Sequence, residues 1–276
     1  PGTVLDRAVA SEIAIRDGAR AVILPTVAEV GGRVRVSAEV IDPYSQTTVY
    51  AESVDGVGVE SALDSIDKVT ATLRGKLGEA LAAIQKDSEP LPDVTTSNMD
   101  ALRAYALGQK AFAVGEYEQV RSFYARAVGL DAEFALAYIG LLRSHNAMND
   151  LAGGKKYLDK ATALKEHLTP RDQLYLDAWT AQVNDPSAIL QKWQEMVSLY
   201  PDYFPAIANV GNSFFSSNRY AEGIPFAKRA ISPQSEFAPL SWDLLGRLSL
   251  GQDKFADAQV AFDKAVAMGV SSAVVR

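Results

Sequence analysis

From about residue 99 onward, apolar and polar positions recur with a period of 34 to 35 residues. The clearest copy runs Trp242-Asp243-Leu244-Leu245-Gly246, then Phe255, Ala258, Phe262 and Ala265. An earlier copy has Leu107-Gly108, Gly115-Glu116-Tyr117, Tyr124, Ala127 and Leu130. A third has Val210-Gly211, Phe214, Tyr220, Ala227 and Ala230. Two weaker copies complete the series, one through Tyr138, Leu141, Leu158 and Ala161, the other through Leu176, Trp193 and Met196, followed by Tyr200-Pro201. Each period is predicted to be two antiparallel helices joined by a short turn, in five units starting near Ala101, Ala135, Pro170, Phe204 and Pro239. Gly108, Gly211, Gly246, Ala127, Ala230 and Ala265 fall where larger side chains would hold helix axes beyond the ~8–10 Å of close packing. Tyr124, Phe262, Trp242 and Phe214 are expected to fill the spaces between neighbouring helices. No unit can bury its apolar face alone, so the copies must stack.

Residues 1–84 follow other periods. Val4, Leu5, Ala8, Val9 and Ile13 recur at helical spacing, with Gly18 as a C-terminal cap. Ala21-Val22-Ile23-Leu24 reads as a short strand, and Gly31-Gly32 as a hairpin turn. Val34, Val36, Ala38 and Val40 alternate with Arg33, Arg35, Ser37 and Glu39, which predicts a strand with one covered face. Asp42-Pro43-Tyr44-Ser45 turns the chain, and Thr47 to Val54 reads as a third strand. Val59, Leu63, Ile66, Val69, Leu73, Leu77, Leu81 and Ile84 mark one stripe of a single long helix. The order is α-β-β-β-α. So small a sheet is expected to have an uncovered edge, which points to missing elements upstream. The opening Pro1-Gly2, without Met, likewise reads as the start of a piece of a longer protein.

The expected organisation is a partial α/β module over 1–86, a polar linker rich in Pro, Ser and Thr over 87–98, and the repeat array over 99–276. The fold class is mainly α.

The segments Leu245-Gly246 … Phe255 … Ala258 … Phe262 … Ala265 and Leu107-Gly108 … Tyr117 … Tyr124 … Ala127 resemble tetratricopeptide (TPR) repeats, over about two thirds of the chain. The resemblance implies a TPR helical solenoid. It departs from the family at Val120, Gly154, Ile189 and Gly223, where a small Ala is usual, and at Asp177 in the third unit. Gly18-Ala19-Arg20-Ala21-Val22-Ile23, Leu73-Arg74-Gly75-Lys76-Leu77-Gly78-Glu79 and the run from Thr95 to Tyr105 resemble a further arrangement. This is the TolB-like module before TPR repeats in bacterial signalling proteins, among them receptor-like Ser/Thr kinases and class III-type cyclases. The nearest likeness is to the cyclase-type regulators of peptide-modification systems. That resemblance implies a sensory or scaffold role, with any catalytic half outside this chain, in the periplasm or the cytoplasm.

Charge and composition narrow the partners. The formal charge is −7 and the pI about 5.0, with Lys and Arg scattered among Asp and Glu. Nucleic-acid binding needs a basic stripe to neutralise phosphates, so no nucleic-acid partner is expected, nor direct membrane contact by this chain. No apolar run approaches the ~18 residues of a membrane span. There is no Cys, which excludes thiol nucleophiles, disulfides and thiolate zinc sites.

Candidate chemistry is sparse. His145 and His167 are the two histidines, and no set of further ligands at metal spacing accompanies them. Nothing marks a nucleophile elbow. Gly56-Val57-Gly58 and Gly153-Gly154-Lys155-Lys156 both fail the phosphate-loop pattern and read as turn and repeat residues. Asp64 and Asp67 read as the wet face of a helix. No catalytic residue, cofactor or metal is expected.

What remains is the inner face of the array. In TPR proteins the first helix of each unit lines a groove, and helical spacing puts Tyr105, Gln109 and Phe112 on one side of the first such helix. The same spacing selects Arg143 and Asn146, then Asn209, Asn212 and Phe215, then Asp243 and Arg247. Asn amides can bond an extended peptide backbone and Arg can hold a carboxylate in a fork. The expectation is a protein or peptide ligand on this face. The alternative is self-association into a homo-oligomer, with Val270, Val274 and Val275 as an apolar docking end.

Overall fold

The computed structural model describes residues 6–79, 89–232 and 235–270. Val4, Leu5, Leu81, Ile84, Val274 and Val275, and residues 87–88 of the expected linker, lie outside them. The chain divides into two units, Pro1–Met99 and Asp100–Arg276.

In the first unit, helix α1 (Arg7–Arg16) starts where the Asp6 carboxylate accepts from the Val9 N–H at 2.9 Å. It stops at Gly18, whose φ of 71° is left-handed. Strands β1 (Val22–Val30), β2 (Arg33–Ile41) and β3 (Thr48–Val57) form an antiparallel meander in that order. The Gly31-Gly32 hairpin turn has φ of 61° and 75°, as two-residue turns of this kind require. Val34, Val36, Ala38 and Val40 of β2 are buried against Ala62, Val69 and Leu73 of α2 (Ala62–Lys76). Burial of one face of β2 thus follows directly from its alternation. Asp42 closes the β2–β3 turn by accepting from the N–H groups of Tyr44 (2.8 Å) and Ser45 (3.0 Å).

Three boundaries differ from expectation. β1 runs to Val30, past Pro25. An edge strand tolerates the missing proline donor, and Ile23, Val27 and Val30 of β1 are more than half exposed. β3 likewise extends to Val57. The long helix ends at Lys76, because Gly78 turns left-handed (φ 98°) and the Glu79 N–H caps the Arg74 carbonyl at 3.1 Å. Leu77, counted in the stripe, is 53% exposed. Within the expected linker, Leu91–Val94 forms one helical turn, α3. The Leu91 N–H donates to the Asp67 carboxylate at 2.8 Å, and Val94 is buried.

The second unit is a TPR-type helical solenoid. Its five helix pairs are α4/α5 (Met99–Ala113, Tyr117–Leu130), α6/α7 (Ala135–Ala147, Leu151–Ala163), α8/α9 (Pro170–Asn184, Ile189–Leu199), α10/α11 (Phe204–Ser216, Tyr220–Ala230) and α12/α13 (Ala238–Leu250, Phe255–Ala267). Four pairs share one turn. Its key residue is left-handed in each: Gly115 (φ 76°), Asn149 (59°), Asn218 (57°) and Asp253 (57°). Gly, Asn and Asp are the residues that take this conformation at least cost, which is why the period repeats there. The third pair departs. Asp185 has φ of −143°, and a 3₁₀ turn, Pro186–Ala188, leads into α9.

Small residues bring the helices together as the repeat pattern requires. A β-carbon on Gly246 would stand 2.4 Å from the Phe262 ring, and one on Gly108 2.5 Å from the Tyr124 ring. Gly140, on the next unit, meets the same Tyr124 ring at 2.7 Å, so one buried aromatic joins α4, α5 and α6. The largest buried cluster lies around the irregular third pair. There Trp193, 1% exposed, contacts Tyr175 (ring centroids 5.3 Å apart) and Trp179 (6.1 Å). The first and last repeats also meet. Val114 Cγ1 lies 3.5 Å from where a β-carbon on Gly269 would stand, and Phe112 packs edge-on against Phe237 at 6.0 Å. Val270, expected at an open apolar end, is buried, and its N–H donates to the Ala265 carbonyl.

Candidate binding site

The first helices of four pairs, and the residues just before the first helix of the fifth, converge on one cavity of about 230 Å³. From the first pair, α4 supplies Tyr105 and Gln109. Next, α6 supplies Leu136, Ile139 and Arg143. The third contributes Asp172 and Tyr175 of α8, the fourth Tyr203 with Phe204 and Pro205 at the start of α10. The approach to α12 adds Ser235, Glu236 and Phe237.

Arg143 is the centre of this arrangement. Its guanidinium stacks over Phe112 at 4.2 Å from the ring centroid, over Phe237 at 5.2 Å and over Tyr175 at 5.9 Å. Such contacts are attractive because a ring face is negative. Arg143 makes no hydrogen bond or ion pair with any described residue. Both carboxylates of the lining stand apart from it. Asp172 accepts from Thr169 Oγ1 at 2.7 Å and pairs with Arg171 at 3.1 Å, and Glu236 is exposed.

Around it stand buried phenols. Burial raises the pKa of Tyr105, Tyr124 and Tyr203. The Tyr124 hydroxyl donates to Gln109 Oε1. An acid whose folded pKa exceeds its unfolded value contributes stability below the unfolded value, about 10 for Tyr, and loses it as pH rises through the folded one. A titration of absorbance at 295 nm should therefore show the phenols of Tyr105, Tyr124 and Tyr203 ionising late, together with loss of helical circular dichroism. Ionisation of all eleven near pH 10 in a protein that keeps its helices would contradict this burial.

The residues selected by helical spacing fall into three groups. Tyr105, Gln109 and Arg143 line the cavity, and Phe112 backs Arg143. Phe215, Asp243 and Arg247 form a second cluster: Arg247 Nε donates to Asp243 Oδ2 at 2.9 Å and stacks over Phe215 at 4.9 Å. Asp243 is buried, and that burial raises its pKa against the pull of Arg247. Asn146, Asn209 and Asn212 are half-buried on the same helices and do not line the cavity. Spacing did not select Asp172, Tyr175, Tyr203 or Phe237. Asp172, Tyr175 and Trp179 do recur at i, i+3 and i+7 along α8, the signal that could have marked the third unit's inner face. His145 is buried, with Nδ1 2.8 Å from Asp150 Oδ2, so it serves the α6–α7 turn.

No helix among the described residues is long and apolar enough to cross a membrane. No family model matches the chain, and no curated protein matches it. Thirty-one chains of solved structures do. One is YrrB, described as a TPR protein with an unusual peptide-binding site (19% identity, 64% of this chain, 90% of that one, TM-score 0.36). Another is MamA from Desulfovibrio magneticus RS-1 (14% identity, 62% and 96%, TM-score 0.34). A third is the Cut9–Hcn1 hetero-tetramer of the APC/C (15% identity, 76% and 44%, TM-score 0.42). Likeness of this degree carries no weight for what the cavity binds.

Proposed function

We propose that the chain is a protein-interaction module, a scaffold or sensor whose array holds an extended segment of a partner protein on its inner face. The observation that carries this reading is that the first helices present polar and aromatic side chains in two clusters, one around Tyr105, Gln109 and Arg143 and one around Phe215, Asp243 and Arg247. The α/β unit fits a TolB-like module, and the whole fits the regulatory part of a larger bacterial signalling protein, periplasmic or cytoplasmic. The reading names no reaction for this chain, because the groove side chains stack, pair and hydrogen-bond without a nucleophile set beside a base.

Selection of a random twelve-residue peptide library on the full chain tests it. Enriched peptides are expected to bind with micromolar affinity, about −8 kcal/mol. Replacing both Asn146 and Asn212 with Ala should weaken them about tenfold, which is roughly 1.4 kcal/mol. Neither asparagine side chain bonds a described residue, so the fold should be unaffected. Lys192→Ala on α9, outside the groove, should change nothing. Failure to enrich any peptide, or binding indifferent to the groove changes, would remove the proposal.

A further inference from the structure

The cavity at the centre of the array has a chemistry of its own, apart from the asparagines that flank it. An engineered apolar cavity of about 150 Å³ takes one benzene, so 230 Å³ takes a molecule of about ten non-hydrogen atoms. Aromatic walls come from Tyr105, Tyr175 and Phe237, and the single unpaired cation of the lining is Arg143.

A guanidinium removed from bulk water needs an anion or several acceptors, and ring faces meet that need only in part. Arg143 has the rings but no acceptor among the described residues. Asp172 is paired with Arg171 and Glu236 is exposed, so neither carboxylate of the lining pairs with Arg143. The Ser235 hydroxyl, also in the lining, is buried without a hydrogen-bond partner among the described residues. It is a second polar group available to an oxygen of a ligand. Arg247 makes the contrast: it stacks on Phe215 in the same manner but is already held by Asp243. Of the two groove arginines, one is built into the fold and the other is presented.

We propose that this cavity binds a small organic acid, its carboxylate held in the fork of Arg143 and its apolar body against Tyr105, Tyr175 and Phe237. The planar fork suits a carboxylate, and the aromatic walls favour a body the size of a phenyl ring. Phe112 and Phe237 come from the first and last repeats, so a ligand seated on Arg143 also bears on the place where the two ends of the array meet. The inference goes beyond the peptide reading, with which it shares Tyr105 and Gln109, and the two are told apart at Arg143 and at the asparagines outside the cavity.

The test is a titration of the full chain with benzoate, phenylacetate, hydrocinnamate and acetate, alongside benzamide and phenylacetamide. Calorimetry reads the affinity, and ¹⁵N NMR follows the Arg143 Nε–H. At least one aryl acid should saturate near or below about 1 mM, as expected for a ligand of this size. The same acid should shift the Arg143 Nε–H, bind at least tenfold tighter than its amide and than acetate, and raise the melting temperature. Arg143→Lys should lose at least tenfold, because an ammonium cannot reproduce the fork. Equal binding of acid and amide in the wild-type chain would overturn the proposal, whether or not the Lys variant folds. So would the absence of any Arg143 shift across the panel. A peptide with a free C-terminal Phe that displaces the aryl acid and binds more tightly would also overturn it, reassigning the site to a chain end. Peptides that bind the groove while leaving the Arg143 signal unmoved would sustain the interaction reading alone.

Discussion

Trp193→Ala is expected to cost the repeat array about 3–5 kcal/mol, the range for removing a large aromatic from a packed interior. Trp193 is almost fully buried on α9 and touches Tyr175 and Trp179 of α8. These rings replace the regular turn chemistry of the other pairs. The third pair lacks the left-handed turn residue and enters α9 through a 3₁₀ turn, so aromatic packing carries more of its cohesion. Whole-domain stabilities are only about 5–15 kcal/mol, so the loss should be plain in urea denaturation followed by circular dichroism. Trp179 and Trp242 remain as fluorescence probes on either side of the lesion. A loss below about 1 kcal/mol would mean that the third pair is held by something other than this cluster.

Gly140→Ala should also destabilise, by about 1–3 kcal/mol, although alanine is the better helix former by about 1 kcal/mol. The sign decides between two views of the position. An open helical glycine gains from the change. A glycine whose added β-carbon would stand 2.7 Å from an aromatic ring forces the ring or the helix to move when it is replaced. Tyr124 cannot yield easily, because α4 confines its other edge so closely that a β-carbon on Gly108 would stand 2.5 Å from the ring. In a double-mutant cycle with Tyr124→Leu, the penalty at position 140 should fall, giving a coupling of about 0.5–3 kcal/mol. Each kcal/mol corresponds to roughly 2–4 °C in melting temperature for a unit of this size. Stabilisation by Gly140→Ala, or strict additivity with Tyr124→Leu, would show that the close approach is not a packing constraint.

Much of the array is legible in the chain because each repeat rests on local chemistry. Ala135, Pro170 and Phe204, read as starts of units, are the first residues of α6, α8 and α10, and the other two starts differ by one or two residues. The turn residues Gly115, Asn149, Asn218 and Asp253 recur at the same period because one backbone conformation demands them. The α/β unit was read less closely where two signals competed. The stripe through Leu77 favoured a longer helix, and the left-handed Gly78 ended it. In β1 the apolar run stops at Leu24, and the strand continues past Pro25 because its place at the sheet edge tolerates the missing donor.

The cavity was half legible. Tyr105, Gln109 and Arg143 follow from spacing along single helices. Tyr203, Ser235 and Phe237 do not, because they stand just before their helices and reach the cavity only through the curvature of the whole array. Spacing did carry the difference between Arg143 and Arg247, since Asp243 stands four residues before Arg247, in reach of it along one helix face.

Contact between Val114 and the Gly269 region has a consequence for how the array opens. A solenoid with free ends unravels stepwise from its termini, each repeat lost at the cost of one neighbour interface. Here fraying at either terminus breaks the same seam, so the outermost helices should exchange their amide protons nearly as slowly as the middle ones. The seam also joins residues far apart in sequence, and its closure must wait until the repeats between them are formed, which slows the last step of folding.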